Sequence, residues 1–311
     1  MSYRYERLSQ NNINDLVDIY TDAFGKSVSQ SFLNSKQDTS MFGPSYVGYI
    51  AYSEEGKAAG FYGVFPCMVT YKGNQYLAAQ SGDTMTHSQH TGKGLFTALA
   101  TETYNYCKSI GMHFVFGFPN KNSYPGFTKK LGWIHFDDIH AYVLRVRCIP
   151  WIRLKNTFKL QQQIQDSWFK FIISLCKKGT PFQSSCLNDS TPVVDHSVDF
   201  FAYKKYEENF VVNIAGLNVW IKHDDTFLYV GDVEHCSEKE FKAVLNRLKW
   251  IAFLTGLPHI RFHGSTNAWA SKMFSQFGHK MEVKYPAGGV NFSHKVPLEQ
   301  MQFTLADFDT F

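Results

Sequence analysis

Residues 83–95 read DTMTHSQHTGKGL and pass from an extended segment, through two glycines, into a helix. The preceding residues 75–86 have strand character. Apolar residues then recur at helical spacing, namely Leu95, Ala98, Leu99, Tyr106 and Ile110. Gly92 and Gly94 lie at the change of period, where the missing Cβ atoms let the backbone turn and approach a ligand closely. Because the first amides of a helix lack partners within it, this stretch predicts an anion site between a strand and a helix.

The spacing of the glycines excludes two common nucleotide-binding turns. A P-loop requires Gly-x-x-x-x-Gly-Lys-Ser/Thr, whereas here Gly94 follows Lys93 and His87 stands at the first glycine position. A dinucleotide-binding turn requires Gly-x-Gly-x-x-Gly, whereas Gly92-x-Gly94 is followed by Thr97. A turn whose glycines serve packing alone is the remaining structural alternative.

Two segments together carry a family resemblance. Gln89, Gly92 and Gly94 fit the pattern Gln/Arg-x-x-Gly-x-Gly/Ala, so the turn resembles the acetyl-CoA signature of the GNAT superfamily of N-acetyltransferases. Residues 122–133, NSYPGFTKKLGW, follow an apolar segment and resemble the "Asn, short helix, Lys-Leu-Gly-Phe" ending of a second motif of that superfamily. The resemblance implies an α/β fold of the GNAT type with a mixed sheet (α+β), and acetyl-CoA as co-substrate.

The same resemblance implies the cofactor contacts. The backbone of Thr84, Met85 and Thr86 would bind the pantetheine arm and polarise the thioester carbonyl. Asn120 would hydrogen-bond the cofactor. The pyrophosphate would lie at the signature residue Gln89 and at the amides of Thr91, Gly92, Lys93, Gly94, Leu95 and Phe96, with Lys93 as an added cation.

Three residues are candidates for proton transfer in catalysis, one as an acid and two as bases. Many members of the superfamily have a Tyr where this sequence has Thr128. Tyr124, one helical turn earlier on the same face, is the candidate proton donor. Asp83 and His87 are candidate bases, and His87 has the side chain suited to titrate near neutral pH. A turn cap for Asp83 and a solvated loop position for His87 are the structural alternatives.

The composition limits the partners and the compartment. The chain has 311 residues, 44% of them hydrophobic, which is enough for two cores. Its net charge of +4 is dispersed, so nucleic acid is not an expected partner. Six scattered cysteines predict reduced thiols in a cytoplasmic protein, and the dispersed histidines argue against a bound metal. Neither a signal-like apolar start nor a membrane span of about eighteen apolar residues is expected.

The sequence predicts three regions. Residues 1–147 would form the GNAT lobe that binds acetyl-CoA, and residues 206–311 a second, degenerate GNAT-like lobe. Residues 148–205 would form a helical bridge and linker, with the clearest linker at residues 179–196. The last region repeats the order strand, helix, strand, short helix. Its first helix begins with the capping box Ser237-x-x-Glu240 and has a predicted apolar stripe of Phe241, Val244, Leu245, Leu248 and Ala252. It lacks the paired glycines before that helix, so one acetyl-CoA site is expected per chain. A coincidental order of elements is the alternative.

Three other segments carry expectations. Residues 25–44 are polar and predict an irregular loop, and the resemblance implies that this loop borders the acceptor site as a substrate lid. Residues 137–138 are two aspartates that predict an exposed hairpin turn between short strands, with binding of an acceptor ammonium as the alternative. Residues 150–178 mix aromatic and basic side chains, which favours a packing helix between lobes, with a helix on a membrane surface as the alternative.

The resemblance implies an acetyl-CoA-dependent N-acetyltransferase that acts on a primary amine in a ternary complex. Residues 92–96 and 117–133 are similar to those of bacterial GNAT proteins encoded among surface-polysaccharide genes, which implies an amino sugar, free or nucleotide-linked, as the small-molecule acceptor. A polyamine, antibiotic or protein amine is the alternative acceptor. A GNAT-like protein that binds acyl-CoA without turnover is the other alternative, and Thr128 supports it. The oligomeric state is not indicated.

Overall fold

The computed structural model describes residues 2–148 and 160–311, which divide into two compact units. Unit 1 comprises Met1–Asp137, Ala202–Tyr206 and Pro286–Met301, and unit 2 comprises Asp138–Phe201, Glu207–Tyr285 and Gln302–Phe311. The sequence placed boundaries at residues 147 and 205. Each compact unit takes segments from both halves of the chain.

Unit 1 is built on a mixed sheet flanked by helices. In chain order its elements are β1 (Arg4–Arg7), α1 (Leu16–Phe24), α2 (Gln30–Gln37), β2 (Gly48–Tyr52), β3 (Ala58–Tyr71), β4 (Asn74–Thr86), α3 (Leu95–Ser109), β5 (Phe114–Gly117) and α4 (Tyr124–Lys130). The strands follow the order β1-β2-β3-β4-β5, and β4 and β5 run parallel. Residues 288–291 then pair antiparallel with β5. The apolar face of α3, with Leu95 and Leu99, packs in the core of this sheet.

Unit 2 also contains a sheet flanked by helices. The remaining elements are β6 (Ile134–Arg145), α5 (Leu160–Ser174), β7 (Lys177–Lys178), β8 (Val193–Val194), α6 (Val198–Tyr203), β9 (Phe210–Ile214), β10 (Leu217–His223), β11 (Phe227–Val233), α7 (Glu238–Thr255), β12 (His259–Ser265), α8 (Trp269–Phe277) and β13 (His279–Asn291). Its sheet has the order β6-β12-β11-β10-β9-β7, with β11 and β12 parallel. Helix α7 begins at the predicted capping box of Ser237 and Glu240, ends at Gly256 with φ of 72°, and buries the predicted apolar stripe.

Two of the expected irregular segments are ordered elements. Residues 25–44 contain α2, which Ser29 caps by accepting a hydrogen bond from the Phe32 amide at 3.1 Å. Helix α2 buries Lys36 and Gln37 as well as Leu33, so its sequence lacks the apolar stripe that would have revealed it. The loop prediction was therefore wrong.

The predicted hairpin at residues 137–138 is also wrong. Asp137 and Asp138 lie within the single strand β6 and are half-buried. From Ile139 to Arg145 this strand pairs with β12. The ladder stabilises an extended conformation that the two acidic residues disfavour by local propensity alone.

Residues 179–196, which the sequence favours as a linker, are packed into unit 2. His196 lies with its Nε2 atom 2.8 Å from Asp307 Oδ1 and its Nδ1 atom 3.5 Å from Asp232 Oδ2, and all three side chains are buried. Ser185 donates through its amide to Asp232 at 3.0 Å and through its hydroxyl at 2.5 Å. Burial raises the pKa of Asp232 to about 6, although nearby His196 acts in the opposite direction.

Residues 149–159 of the expected bridge lie outside the described residues. The described part, α5, packs on the core of unit 2 through Phe169, Ile172 and Ile173. Within the described part of the chain, no helix has the length and apolar character needed to cross a membrane.

His263 on β12 gives unit 2 a defined pH response. Its ring stacks on Tyr285 at 5.3 Å, and neither ring nitrogen has a hydrogen-bond partner among the described residues. Burial lowers its pKa from 6.5 to about 3, so the folded protein keeps this imidazole neutral where the unfolded chain protonates it.

We expect the stability of the protein to fall as the pH drops from 6.5 towards 3, because the unfolded chain then binds a proton that the folded chain excludes. His263→Phe should reduce this slope by up to about 1.4 kcal/mol per pH unit. Urea unfolding at several pH values measures it, with His235→Phe, at an exposed position, as the control. Equal slopes for the wild type and His263→Phe would contradict the assignment.

Candidate functional site

The last part of β4 contains a β-bulge. Gly63 pairs with Gly82 and Phe61 pairs with Met85, so that Asp83 and Thr84 together oppose one residue of β3. Asp83 has a φ of 50°, a conformation that L-residues seldom adopt. Bulges of this kind redirect side chains and end regular pairing, and they are frequent near functional sites.

Beyond this region the parallel strands β4 and β5 separate. Their pairing is confined to Ala79 with Val115 and Gln80 with Phe116, although β4 continues to Thr86. Residues 82–86 therefore present, on the side away from β3, a backbone edge without a β5 partner. The Thr84 hydroxyl is buried there and has no hydrogen-bond partner among the described residues. A strand edge of this kind can pair with an extended polar ligand.

The turn that follows exposes the start of α3. Residues 91–94 are exposed, and Gly92 and Gly94 have φ of 74° and 79°. A Cβ atom on either glycine would meet nothing within 4 Å, so conformation rather than crowding requires glycine. Gly94 is the N-cap of α3 and no side chain caps this helix. Its first amides and the positive end of the helix dipole form a site suited to a phosphate group.

Several contacts fix this turn to the rest of unit 1. The carboxylate of Asp22 accepts hydrogen bonds from the Ser88 amide at 2.6 Å and the Ser88 hydroxyl at 2.9 Å, and these bonds lower its pKa. The Thr91 hydroxyl donates to the Ser88 carbonyl at 3.0 Å. Tyr3 and His90 are joined by a hydrogen bond of 2.8 Å. The turn is therefore held in place by α1 and the segment before β1.

A buried hydroxyl network lies where the strands separate. The hydroxyls of Tyr62 and Tyr104 are 2.6 Å apart, Ser81 donates to Tyr62 at 2.9 Å, and Trp133 Nε1 donates to Tyr104 at 2.7 Å. These bonds connect β3, β4, α3 and the end of the second motif. Burial raises the pKa of Tyr62 and of Tyr104, so both phenols stay protonated and act as structural groups.

The two sequence motifs are adjacent in space. Gly126 in α4 lies against Phe96 in α3, where a Cβ atom would come within 3.0 Å of the Phe96 ring. The Asn120 side-chain oxygen accepts hydrogen bonds from the amides of Asn122 and Ser123 at 2.9 and 3.0 Å, so it fixes the start of α4. Tyr124 begins α4, and its half-buried ring makes an edge contact with His135 at 5.9 Å.

The candidate bases have structural partners. Asp83 Oδ1 lies 2.8 Å from Lys36 Nζ, and the two side chains are 7% and 4% exposed. The Lys36 ammonium also lies over the Phe65 ring at 4.9 Å. The sequence does not reveal the partnership of Lys36 with Asp83, because residues 47 positions apart leave no local pattern.

His87 is a residue of the turn itself. Its Nδ1 atom accepts a long hydrogen bond of 3.3 Å from the Gln89 amide, and its Nε2 atom is 3.9 Å from Asp22. It also borders a cavity of about 680 Å³ that Gln89 and Lys93 line, together with several residues before β3. This cavity is not lined by Asp83 or Tyr124.

Among the remaining predicted cofactor residues, Met85 and Leu95 have side chains in the core. Met85 has a buried side chain that packs with residues of α1, so that only its backbone faces the strand edge. Leu95 lies on the buried face of α3, whereas Thr86 and Phe96 are half-buried. Across residues 2–148 and 160–311, no group of three or more metal-ligating side chains could hold an ion.

The equivalent position in unit 2 is filled by protein. Strands β11 and β12 pair from Phe227 with His259 to Val230 with Phe262. Beyond that point the Ser265 amide donates to the Phe303 carbonyl at 2.9 Å. The ring of Phe311 lies against Gly231, where it leaves no room for a Cβ atom. Residues 303–311 thus occupy the space beside β11 that stays open beside β4.

Comparisons with known proteins agree with this geometry. Residues 4–136 match a family model described as an acetyltransferase (GNAT) domain. Among solved structures, the chain is similar to a probable N-acyltransferase of unknown function from Enterococcus faecalis V583, with TM-score 0.61 and 12% identity over 94% of this chain and 73% of that chain. No curated protein sequence matches the chain.

Two further solved structures are similar. A GCN5-related N-acetyltransferase from Kribbella flavida has TM-score 0.58 and 11% identity over 94% of this chain and 71% of that chain. N-myristoyltransferase of Saccharomyces cerevisiae, with bound myristoyl-CoA, has TM-score 0.57 and 11% identity over 93% and 83%. These likenesses confirm the mixed α/β GNAT fold that the sequence predicts.

The buried ion pair on β4 gives a stability test of the site. Lys36→Met removes the ammonium that faces the Asp83 carboxylate, and we expect a loss of roughly 3 to 5 kcal/mol in the free energy of unfolding. The double variant Lys36→Met with Asp83→Asn should recover much of that loss, because it removes the buried charge. Urea unfolding compares the two, and a single variant as stable as the wild type would contradict a structural role for the pair.

Proposed function

We propose that the chain is an acetyl-CoA-dependent N-acetyltransferase, and that unit 1 binds one acetyl-CoA along residues 84–86 and at the amides of residues 91–96. The GNAT acetyltransferase domain matched by residues 4–136 supports acyl transfer from acyl-CoA in general. The observation that carries the proposal is the conjunction of the unpaired edge of β4 with the uncapped start of α3. Together they offer hydrogen bonds to an amide-containing arm and a site for a diphosphate.

The contacts of unit 1 support a division of roles. The backbone of Thr84, Met85 and Thr86 holds the arm and donates to the thioester carbonyl, where negative charge develops. The amides around Gly92 and Gly94 bind the diphosphate, and Lys93 adds a positive charge nearby. Asn120 acts indirectly, because its side-chain oxygen is used to fix α4. Since residues 303–311 fill the corresponding space in unit 2, one acetyl-CoA binds per chain.

Acetyl-CoA supplies the activated carbonyl carbon. The amine nitrogen forms the new C–N bond with that carbon, and the C–S bond breaks. Tyr124 gives the departing thiolate its proton, because this residue starts α4 beside the signature helix and no described residue hydrogen-bonds its hydroxyl. Asp83 and His87 then have structural roles, since Asp83 bonds to Lys36 and His87 accepts from the Gln89 amide. The amine loses its proton to water, and water returns a proton to the Tyr124 phenolate.

The absence of a dedicated base among these candidates favours an acceptor whose amine deprotonates easily. The electron-withdrawing C–O bonds of an amino sugar lower the pKa of its ammonium group below that of a simple alkyl ammonium, so the neutral amine forms more readily. We therefore propose an amino sugar, free or nucleotide-linked, as the acceptor. A polyamine is the second candidate, because four carboxylates line the cavity beside Lys93, namely those of Asp15, Asp18, Glu54 and Glu55.

The glycine turn provides the test of cofactor binding. Gly94→Ala places a side chain at a φ of 79°, which costs about 1 to 2 kcal/mol or forces the turn to change. We expect the Kd for acetyl-CoA, measured by calorimetry, to rise at least about tenfold, which corresponds to 1.4 kcal/mol. Gly73→Ala is the matched control, because Gly73 has a φ of 73° in another open turn. Equal effects of the two substitutions on the Kd for acetyl-CoA would contradict the proposal.

Catalysis is tested by release of CoA thiol with panels of amino sugars, nucleotide-linked amino sugars, polyamines and peptides. Tyr124→Phe should lower kcat about a hundredfold or more with little change in the Kd for acetyl-CoA, because a general acid contributes about 10² to 10⁴. Tyr71→Phe is the control. The panel also includes longer acyl-CoA donors, since N-myristoyltransferase shares the fold. Acetyl-CoA binding without thiol release from any acceptor would favour the non-catalytic alternative.

A further inference from the structure

The outer face of α5 carries an apolar stripe that the described residues of unit 2 leave exposed. Helix α5 buries Phe169, Ile172 and Ile173 in the core. Its opposite face exposes large apolar side chains at helical spacing, with exposed fractions of 58% for Ile164, 43% for Trp168, 50% for Phe171 and 68% for Leu175 just beyond the helix end. The helix is thus apolar on two faces, and the core accounts for one of them.

Helix α7 extends this surface. Trp250 and Leu254, one turn apart on α7, are 60% and 40% exposed. The Trp168 indole donates to the Leu254 carbonyl at 2.9 Å, which joins the two helices at the surface. We call the apolar patch the six residues Ile164, Trp168, Phe171, Leu175, Trp250 and Leu254. An exposed cluster of this kind on a folded protein marks an interaction surface.

Basic residues border the apolar patch. Lys177 and Lys178 follow Leu175 in sequence, Arg247 lies one helical turn before Trp250 on α7, and the half-buried Lys249 directly precedes Trp250. These four side chains form no ion pair with any residue that the structure describes. Lys170 on α5 is instead paired with Glu208 at 2.6 Å. The border of the patch therefore carries a positive charge that has no partner in unit 2.

We propose that the apolar patch binds the surface of an anionic lipid bilayer. Tryptophan and long aliphatic side chains enter the boundary between head groups and acyl chains, while lysine and arginine extend to the phosphates. Each cation near an anionic surface adds to this attraction. A second copy of the chain fits less well, because a symmetric contact would bring the four cations towards their own copies. This inference does not depend on the proposed enzymatic activity.

The test is co-sedimentation of the purified full chain with vesicles of phosphatidylcholine alone or mixed with phosphatidylglycerol. We expect partition into the anionic vesicles only, weakened by salt. Trp250→Ser with Leu254→Ser should lower the partition coefficient about a hundredfold, since each side chain loses its burial in lipid. Arg247→Gln with Lys249→Gln should lower it about tenfold or more.

Matched controls separate lipid binding from loss of structure. Phe24→Ser with Met41→Ser removes apolar side chains of unit 1 that are 44% and 42% exposed, and it should leave partition unchanged. Circular dichroism verifies that each variant is folded. Quenching of tryptophan fluorescence by brominated lipid should decrease in Trp250→Phe.

Three results would overturn the proposal. The first is partition into anionic vesicles no greater than into phosphatidylcholine. The second is equal partition of the wild type and the folded Trp250→Ser, Leu254→Ser variant. The third is sedimentation velocity in which the wild type is dimeric and this variant monomeric without lipid binding, which would make the patch an interface between copies.

Discussion

The separation of β4 from β5 after Gln80 is the constraint on which the account of unit 1 depends. Parallel strands in a buried sheet normally continue their ladder, so an interrupted ladder leaves polar groups that need partners. The bulge at Asp83 and Thr84 lies just beyond this point, and the Asp83 side chain forms a buried ion pair with Lys36. The hydroxyl network around Tyr62 holds the surrounding elements in place. The open edge of β4 is therefore a property of the backbone, and buried side chains hold the elements around it.

The two units use the same local arrangement with opposite results. Each has two parallel strands joined by a helix, and in each the ladder stops after a few pairs. Beside β4 the space is open and two glycines precede the helix. Beside β11 the space holds residues 303–311, and the helix begins with a side-chain capping box that satisfies its own amides. A capped helix start is a poor anion site, so the turn and residues 303–311 together distinguish unit 2 from unit 1.

The sequence was informative where structure follows from local chemistry. The turn at Gly92 and Gly94 and the stripe of α7 depend on backbone conformation and helical periodicity, and both predictions agree with the structure. Helix α2 was missed because it buries polar residues. The segment at residues 179–196 looked like a linker because its serines bond to the distant Asp232. The partner of Asp83 was equally invisible, because a tertiary ion pair between residues far apart in sequence leaves no local pattern.

A crystal structure with acetyl-CoA bound is the most direct test of the central claim. We expect one molecule per chain, with its diphosphate oxygens within about 3.2 Å of amide nitrogens among residues 91–96. We also expect its amide-containing arm to pair with the backbone of residues 84–86. Acetyl-CoA bound elsewhere on the chain, or bound with its diphosphate away from this turn, would contradict the account.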